Sequence, residues 1–298
     1  MNIRERIIVG CGNFGGVGSV PQLFGKGESR VEAMALLEMA REFSLFRFDT
    51  ANSYGGGASE EILGEFLQEQ EPSFRQRMSV STKVGNPFGA REGFAPLAAS
   101  EIRFQLERSL KRLGVERIDV YYLHELPANV DLEETLMALD EALARGQISS
   151  FGLSNVSKPE VERVLTAAGE RLGKFLTHVQ NEFHFLNPDD RVELIPYLQK
   201  HGIKYTAYSP LAGGLLTGKY KLNRPAPTGS RLALRGEPYA PYLNEDHFAQ
   251  VDAFIGRARS ANVTAPAAAL KFVLDTPGVD SAIIGPRRRE HYEDLGFK

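Results

Sequence analysis

Short β-branched or aromatic runs alternate with longer amphipathic runs along the whole chain. A brief apolar run followed by apolar residues at helical spacing reads as a strand and then a helix. RIIVGCG, residues 6–12, is the first such strand and ends in a glycine-rich loop. Val31, Met34, Ala35, Leu37 and Met39 then recur near helical spacing behind Ser29, a good N-cap, and predict a helix over 29–43. FRFDTA (46–51) reads as a strand. The helix after it opens at Ser59, where the capping-box pattern is only partly met because the acids stand at 60 and 61.

The alternation continues with MSVSTKVG from Met78 and a helix over 97–113 stopped by Gly114. RIDVYYLH (117–124) is a near-continuous buried run of the kind found in parallel sheets. A helix over 131–146 follows, acidic at its start and closed by a glycine. ISSFGLSN is the next strand, and a helix over 158–172 carries Pro159 in its first turn. FLTHVQNEF is a strand, 189–201 a helix and IKYTAYSPL a strand. An irregular stretch rich in Pro and Gly covers 213–243. A helical region over 245–275 is interrupted near Pro266, VDSAIIG (279–285) is the last strand, and RREHYEDL opens a final helix. Eight βα units in order, with no linker between them, predict an α/β (β/α)8 TIM barrel as a single domain over 1–298. The alternative is an open parallel sheet with one strand miscounted.

The chain has 298 residues, 42% hydrophobic and 24% charged, with a formal net charge of -3. Such a balance excludes a nucleic-acid sleeve or a polybasic membrane binder, so no nucleic-acid partner is expected. No run of about 18 apolar residues is present, so no membrane span is expected. The first residues lack the apolar run of a signal peptide. The single cysteine, Cys11, excludes an intrachain disulfide and a multi-cysteine zinc site. No metal site is expected, and the anticipated location is cytoplasmic.

In a barrel of this kind the active site lies at the C-terminal ends of the strands. The second strand ends in Asp49, with Tyr54 five residues on; the third ends in Lys83 and the fourth in His124. An ammonium beside a phenol favours its ionised form, so a neighbouring tyrosine becomes a better acid. A carboxylate can hold the lysine in place, and an imidazole across the cavity can donate to a substrate oxygen. Together they can protonate a carbonyl oxygen while a nucleophile, most simply a hydride, adds to its carbon. Taken one at a time, each residue has an ordinary structural reading as a loop cap, a surface lysine, a packed tyrosine or a core histidine.

These residues also carry a resemblance. FDTANSYGGGASEEILGEFL resembles the signature of the aldo-keto reductase superfamily. STK (81–83), YYLHE (121–125), FGLSN (151–155), QNEFH (180–184) and YSPLAGGLLTGKY (208–220) are similar to its later motifs, in the same order. The resemblance runs from about residue 6 to residue 295. It implies a (β/α)8 barrel that reduces carbonyls with a nicotinamide cofactor and a catalytic tetrad of Asp49, Tyr54, Lys83 and His124.

The same resemblance implies a cofactor site. Ser154, Asn155 and Gln180 match side chains that hold the nicotinamide carboxamide, Asp49 and the Cys11–Gly12 turn lie beside them, and Tyr208 matches the aromatic that stacks on the ring. Ser209, Pro210, Leu211, Gly213 and Lys219 match a pyrophosphate loop, and Arg231 an arginine that closes over the cofactor. Gly285, Arg287, His291 and Asp294 fall in the segment that binds the adenosine end. Arg287, Arg288 and Arg289 at a helix start oppose the helix dipole unless an anion is bound there, which favours NADPH over NADH.

The chain departs from the pattern at Cys11, where relatives often have Thr, at Glu125, and at His291 and Leu295, where Gln and Asn are common. Phe14, Phe24, Phe88 and Tyr242 are candidate pocket walls. The expected partner is a small-molecule carbonyl compound. Two other readings stay open: a cofactor-sensing regulatory subunit of the same fold with slow catalysis, and a Schiff-base aldolase using Lys83.

Overall fold

Eight parallel strands pair in chain order and close on themselves: β1 (Ile7–Gly10), β2 (Arg47–Asp49), β3 (Ser79–Val84), β4 (Ile118–Leu123), β5 (Ile148–Ser154), β6 (Leu176–Glu182), β7 (Lys204–Tyr208) and β8 (Val279–Ile284). Closure through β1 and β8 pairs Ile7, Ile8 and Val9 with Ala282, Ile283 and Ile284. The computed structural model describes residues 3–297; Met1, Asn2 and Lys298 of the expected 1–298 domain lie outside the described residues. The open-sheet alternative is excluded, because both ends of the sheet pair with each other.

The helices form the outer layer: α1 (Arg30–Glu42), α2 (Ala58–Glu69), α3 (Pro72–Arg75), α4 (Ala99–Leu113), α5 (Leu132–Ala144), α6 (Lys158–Gly173), α7 (Leu194–Lys200), α8 (Arg231–Leu234), α9 (Glu245–Ser260), α10 (Ala265–Asp275) and α11 (Arg289–Asp294). Local chemistry sets most of their ends. Ser29 and Glu32 form a reciprocal capping box on α1. Asp131 caps α5 and Thr264 caps α10, each through a side-chain oxygen. Gly114 ends α4 in the left-handed conformation with φ 64°.

Three boundaries differ from the pattern-based expectation. The stretch 189–201 is a 3-10 turn followed by the short α7, because Pro196 can sit only in a first turn. The expected break near Pro266 falls earlier, between Ser260 and Ala265. Asn262 is left-handed there, and Pro266 sits in the first turn of α10. The irregular stretch 213–243 contains the short helix α8 between two 3-10 turns.

The main apolar core lies between barrel and helices, with Ile7, Phe48, Leu63, Ile102, Tyr121, Leu139, Phe151 and Val179 among its fully enclosed side chains. Each large apolar side chain buried there contributes about 1.5–3 kcal/mol. A second, smaller core under the β7–α9 connection includes Leu215, Leu216, Tyr220, Tyr239 and Phe254. This second core holds a long connection firmly over the C-terminal rim.

Candidate active site

Strand register and a glycine-rich turn bring the four candidate residues together. Asp49, the last residue of β2, is paired with Ser81 of β3, and Lys83 stands two residues further on the same face. The Lys83 ammonium, fully enclosed, forms an ion pair with Asp49 Oδ1 and donates to the Thr50 carbonyl at 2.9 Å. The other carboxylate oxygen of Asp49 accepts from Ser81 Oγ at 2.7 Å and Gln180 Nε2 at 2.9 Å. A buried ion pair survives only when its remaining hydrogen-bonding capacity is met, and these donors meet it.

Tyr54 reaches the pair from the turn after β2. Gly55, Gly56 and Gly57 all have positive φ, at 57°, 70° and 106°. A Cβ at Gly55 would lie 2.8 Å from the Phe14 carbonyl, so the turn needs glycine there. Ser59, the expected cap, lies inside α2, with its hydroxyl 2.7 Å from Thr50 Oγ1 and bonded to the Cys11 carbonyl at 2.8 Å; Gly57 takes the cap position instead. The Lys83 ammonium stands 5.1 Å from the centre of the Tyr54 ring, and the His124 ring meets the Tyr54 ring edge-on at 5.5 Å.

The electrostatics of the cluster are asymmetric. Burial is the largest influence on Lys83 and opposes its charge, but Asp49 and Tyr54 more than offset it and the pKa is raised. A lysine held as ammonium is a poor nucleophile, which counts against the Schiff-base reading. His124 is pushed well below the usual histidine value by burial, then by the charges of Lys83 and Arg235. It is therefore a neutral imidazole, and its buried Nδ1 has no partner among the described residues.

The expected cofactor-binding residues fall on the same rim. Asn155, left-handed with φ 57°, donates through Nδ2 to the His124 carbonyl at 2.9 Å and accepts from the Tyr208 hydroxyl at 2.7 Å. Ser154 Oγ donates to the Gln180 carbonyl at 2.8 Å. Ser209, Ala212, Gly213 and Gly214 after β7 are all left-handed. The Ala212 and Gly214 N–H groups close this turn on the Ser209 and Leu211 carbonyls at 2.8 and 2.9 Å, and compact left-handed backbone of this kind is found at anion-binding turns. The Lys219 side chain folds back over Gly214. An aromatic face, an amide and a cation-flanked turn fit a dinucleotide's nicotinamide and pyrophosphate.

Other placements correct the sequence reading. The Cys11 side chain is enclosed in the main core, where burial pushes its thiol pKa up. Only the Gly12 side of that turn faces Tyr54, whose ring would touch a Cβ at Gly12 at 3.5 Å. Gln180 is committed to Asp49. Arg287, Arg288 and Arg289 diverge instead of converging on one point. Arg287 pairs with Glu28 and donates to the Gly229 carbonyl at 2.7 Å, Arg288 lies 3.6 Å from Glu290, and Arg289 pairs with Glu42. His291 Nδ1 accepts from the Arg287 N–H, Gly285 is exposed, and the Asp294 carbonyl accepts from Thr264. Of the candidate walls, Phe14 is in the core, Phe88 is exposed, Phe24 lies against Gly56 and Tyr242 packs on His184.

Sequence reasoning missed Ser81, Asn13, Glu28 and Arg235. Ser81 was within reach of it, since period-two alternation puts Ser81 and Lys83 on one face. Asn13 accepts from Arg231 at 3.0 Å, across 218 residues. No local pattern announces such a bond.

The closed barrel, with a tyrosine, a paired lysine and a neutral histidine on its catalytic rim, defines a (β/α)8 oxidoreductase. The chain belongs to the aldo/keto reductase family, whose sequence profile matches residues 6–296. It is 31% identical over 283 residues to the L-glyceraldehyde 3-phosphate reductase of Escherichia coli (strain K12), covering 91% of this chain and 80% of that one. It is also 31% identical over 273 residues to a probable voltage-gated potassium channel subunit beta of Arabidopsis thaliana, covering 88% and 80%. The human aflatoxin B1 aldehyde reductase member 4 is 38% identical over 173 residues, covering 58% and 50%. The protein is an NAD(P)H-dependent oxidoreductase that reduces small-molecule carbonyl compounds.

Proposed function

We propose that the protein reduces aldehydes or ketones to alcohols with NADPH, and that Tyr54 supplies the proton. The observation that carries this reading is the Lys83 ammonium, enclosed, paired with Asp49 and facing the Tyr54 ring at 5.1 Å. In this mechanism the neutral His124 donates an N–H to the carbonyl oxygen and fixes its direction. Tyr54 gives its hydroxyl proton to that oxygen as it becomes an alkoxide. Lys83 offsets the charge left on the phenol oxygen, and Asp49 keeps Lys83 in register. The cofactor, when bound, supplies the hydride to the carbonyl carbon. General-acid assistance contributes about 10²–10⁴-fold, and holding the reactants together supplies the remainder.

Asn155 and Ser154 would hold the carboxamide and Tyr208 would stack on the ring. The turn at 209–214 with Lys219 would hold the pyrophosphate, under Arg231. Arg287 would meet the adenosine 2′-phosphate, displacing Glu28, with Gly285, His291 and Asp294 around the adenine. Fluorescence titration with NADPH and NADH, followed by a panel of aldehydes, ketones and sugars read through absorbance of the reduced cofactor, tests this reading. NADPH binds more tightly and at least one carbonyl class is reduced. Failure of both cofactors to bind removes the proposal.

The likeness to a probable channel subunit favours one second reading, a cofactor-sensing subunit with slow chemistry. A stoichiometric membrane-protein partner, with turnover far below the usual ~1–10³ per second, distinguishes it.

A further inference from the structure

A second cation stands at the edge of the same rim. Arg235 directly follows α8, and its guanidinium lies over Gly18, where a Cβ would come within 2.4 Å of Nη1. Gly18 is tied to the catalytic turn on both sides. Its carbonyl accepts from the N–H of Gly55, the residue after Tyr54, at 3.0 Å, and its own N–H donates to the Gly12 carbonyl at 2.7 Å. Gly12 is the residue that borders the Tyr54 ring. The guanidinium is therefore set beside the turn that carries Tyr54, from a segment about 180 residues away in the chain.

Arg235 differs from the other arginines around the rim. Arg231 donates to Asn13, and Arg287 is held by Glu28 and the Gly229 carbonyl. Arg235 is half-buried and its backbone N–H donates to the Arg231 carbonyl at 2.8 Å, yet among the described residues its guanidinium makes no hydrogen bond and no ion pair. Its pKa is lowered, first by burial and then by repulsion from Arg231, while Tyr239, Glu237 and Tyr54 attract it without pairing. Its charge also acts on His124. The guanidinium is partly removed from water and has no protein acceptor, and its nitrogens are not sealed from solvent, so an anion can reach them. A carboxylate or phosphate fits its fork with two parallel bonds.

We propose that Arg235 binds an anionic group, a carboxylate or a phosphate, on the carbonyl substrate, so that the protein selects aldehydes charged at the end remote from the reacting carbon. This inference rests on the reductase reading, and its test separates the two. Calorimetric titration of the full chain with 4-(hydroxymethyl)benzoate and with its methyl ester, each with and without NADP⁺, reads the site independently of turnover. The wild type binds the acid at least about tenfold more tightly than the ester, ~1.4 kcal/mol, and Arg235→Gln abolishes that difference while Arg235→Lys keeps part of it.

Kinetics supply the second arm. The ratio of kcat/KM for 4-carboxybenzaldehyde over methyl 4-formylbenzoate, and for succinic semialdehyde over butanal, falls about tenfold in Arg235→Gln, and KM carries the change. Equal affinity of the wild type for acid and ester, with unchanged ratios in Arg235→Gln, overturns the subsite. So does a loss of NADPH affinity in that variant with the acid preference intact, which would assign Arg235 to the cofactor. Absence of turnover with the acid preference retained in binding overturns the reductase reading and leaves the subsite standing.

Discussion

At the scale of single residues, the site is a problem in placing charge away from water. Asp49 and Lys83 are both enclosed, and neither is tolerable without the other. Lys83→Met leaves Asp49 with Ser81 and Gln180 but no cation. It lowers the unfolding free energy by about 3–5 kcal/mol, read by chemical denaturation, and Asp49→Asn in the same background recovers part of the loss. Full stability in Lys83→Met would mean that the pair is not buried as described. Asp49, Tyr54, Lys83 and His124 were legible because each stands at or just beyond a strand end, where barrel chemistry concentrates. Arg235 and Asn13 were not, because their contacts depend on how a long connection folds over the rim. Cys11 misled for a related reason: its place in a motif does not disclose that its side chain turns outward into the core.

At the scale of elements, close approach of backbones is as demanding as any side chain. Gly64 on α2 lies against α4, where a Cβ would come within 2.1 Å of the Arg112 carbonyl. A backbone carbonyl cannot step aside as a flexible side chain can. Gly64→Ala therefore forces the two helices apart and destabilises the fold, although alanine is the better helix former. The expected loss is about 1–3 kcal/mol, measured as a shift in the denaturation midpoint, and a stabilised variant would contradict this packing. Strand and helix identities followed from periodicity, since each element has one face to bury. Their ends followed less well where tertiary bonds overrode local preference. Ser59 has cap chemistry but spends its hydroxyl on Thr50 and Cys11, and Pro196 confines α7 to a few residues.

At the scale of the whole molecule, closure of the barrel buries titratable groups that an unfolded chain would expose. His124 and His178 are both held neutral, His178 down to about 3 by burial first and then by Lys204 and Arg47. Their folded values lie below the ordinary 6.5, so the unfolded chain takes up protons that the folded chain refuses. The stability they confer is present above pH 6.5 and is lost as the pH falls below it. Each contributes a slope of up to ~1.4 kcal/mol per pH unit in that window. Denaturant midpoints fall from about pH 7 to about pH 5, and His178→Gln makes the fall shallower; an unchanged slope in that variant would contradict the account.

The same closure ties three loops together over the rim, through Arg231 to Asn13, Arg287 to Glu28 and Arg287 to the Gly229 carbonyl. The barrel itself was legible from eight alternating units. This strap was not, because it joins positions up to 259 residues apart.

The central claim, that the Tyr54 hydroxyl delivers the proton, is tested most directly by single-turnover reduction. Protein preloaded with NADPH is mixed with 4-nitrobenzaldehyde, and the loss of reduced-cofactor absorbance is followed in the wild type and in Tyr54→Phe, with NADPH affinity measured in parallel by fluorescence. The account predicts a rate lowered by about 10²–10⁴-fold with NADPH binding retained; a Tyr54→Phe protein that reduces the aldehyde at the wild-type rate would contradict it.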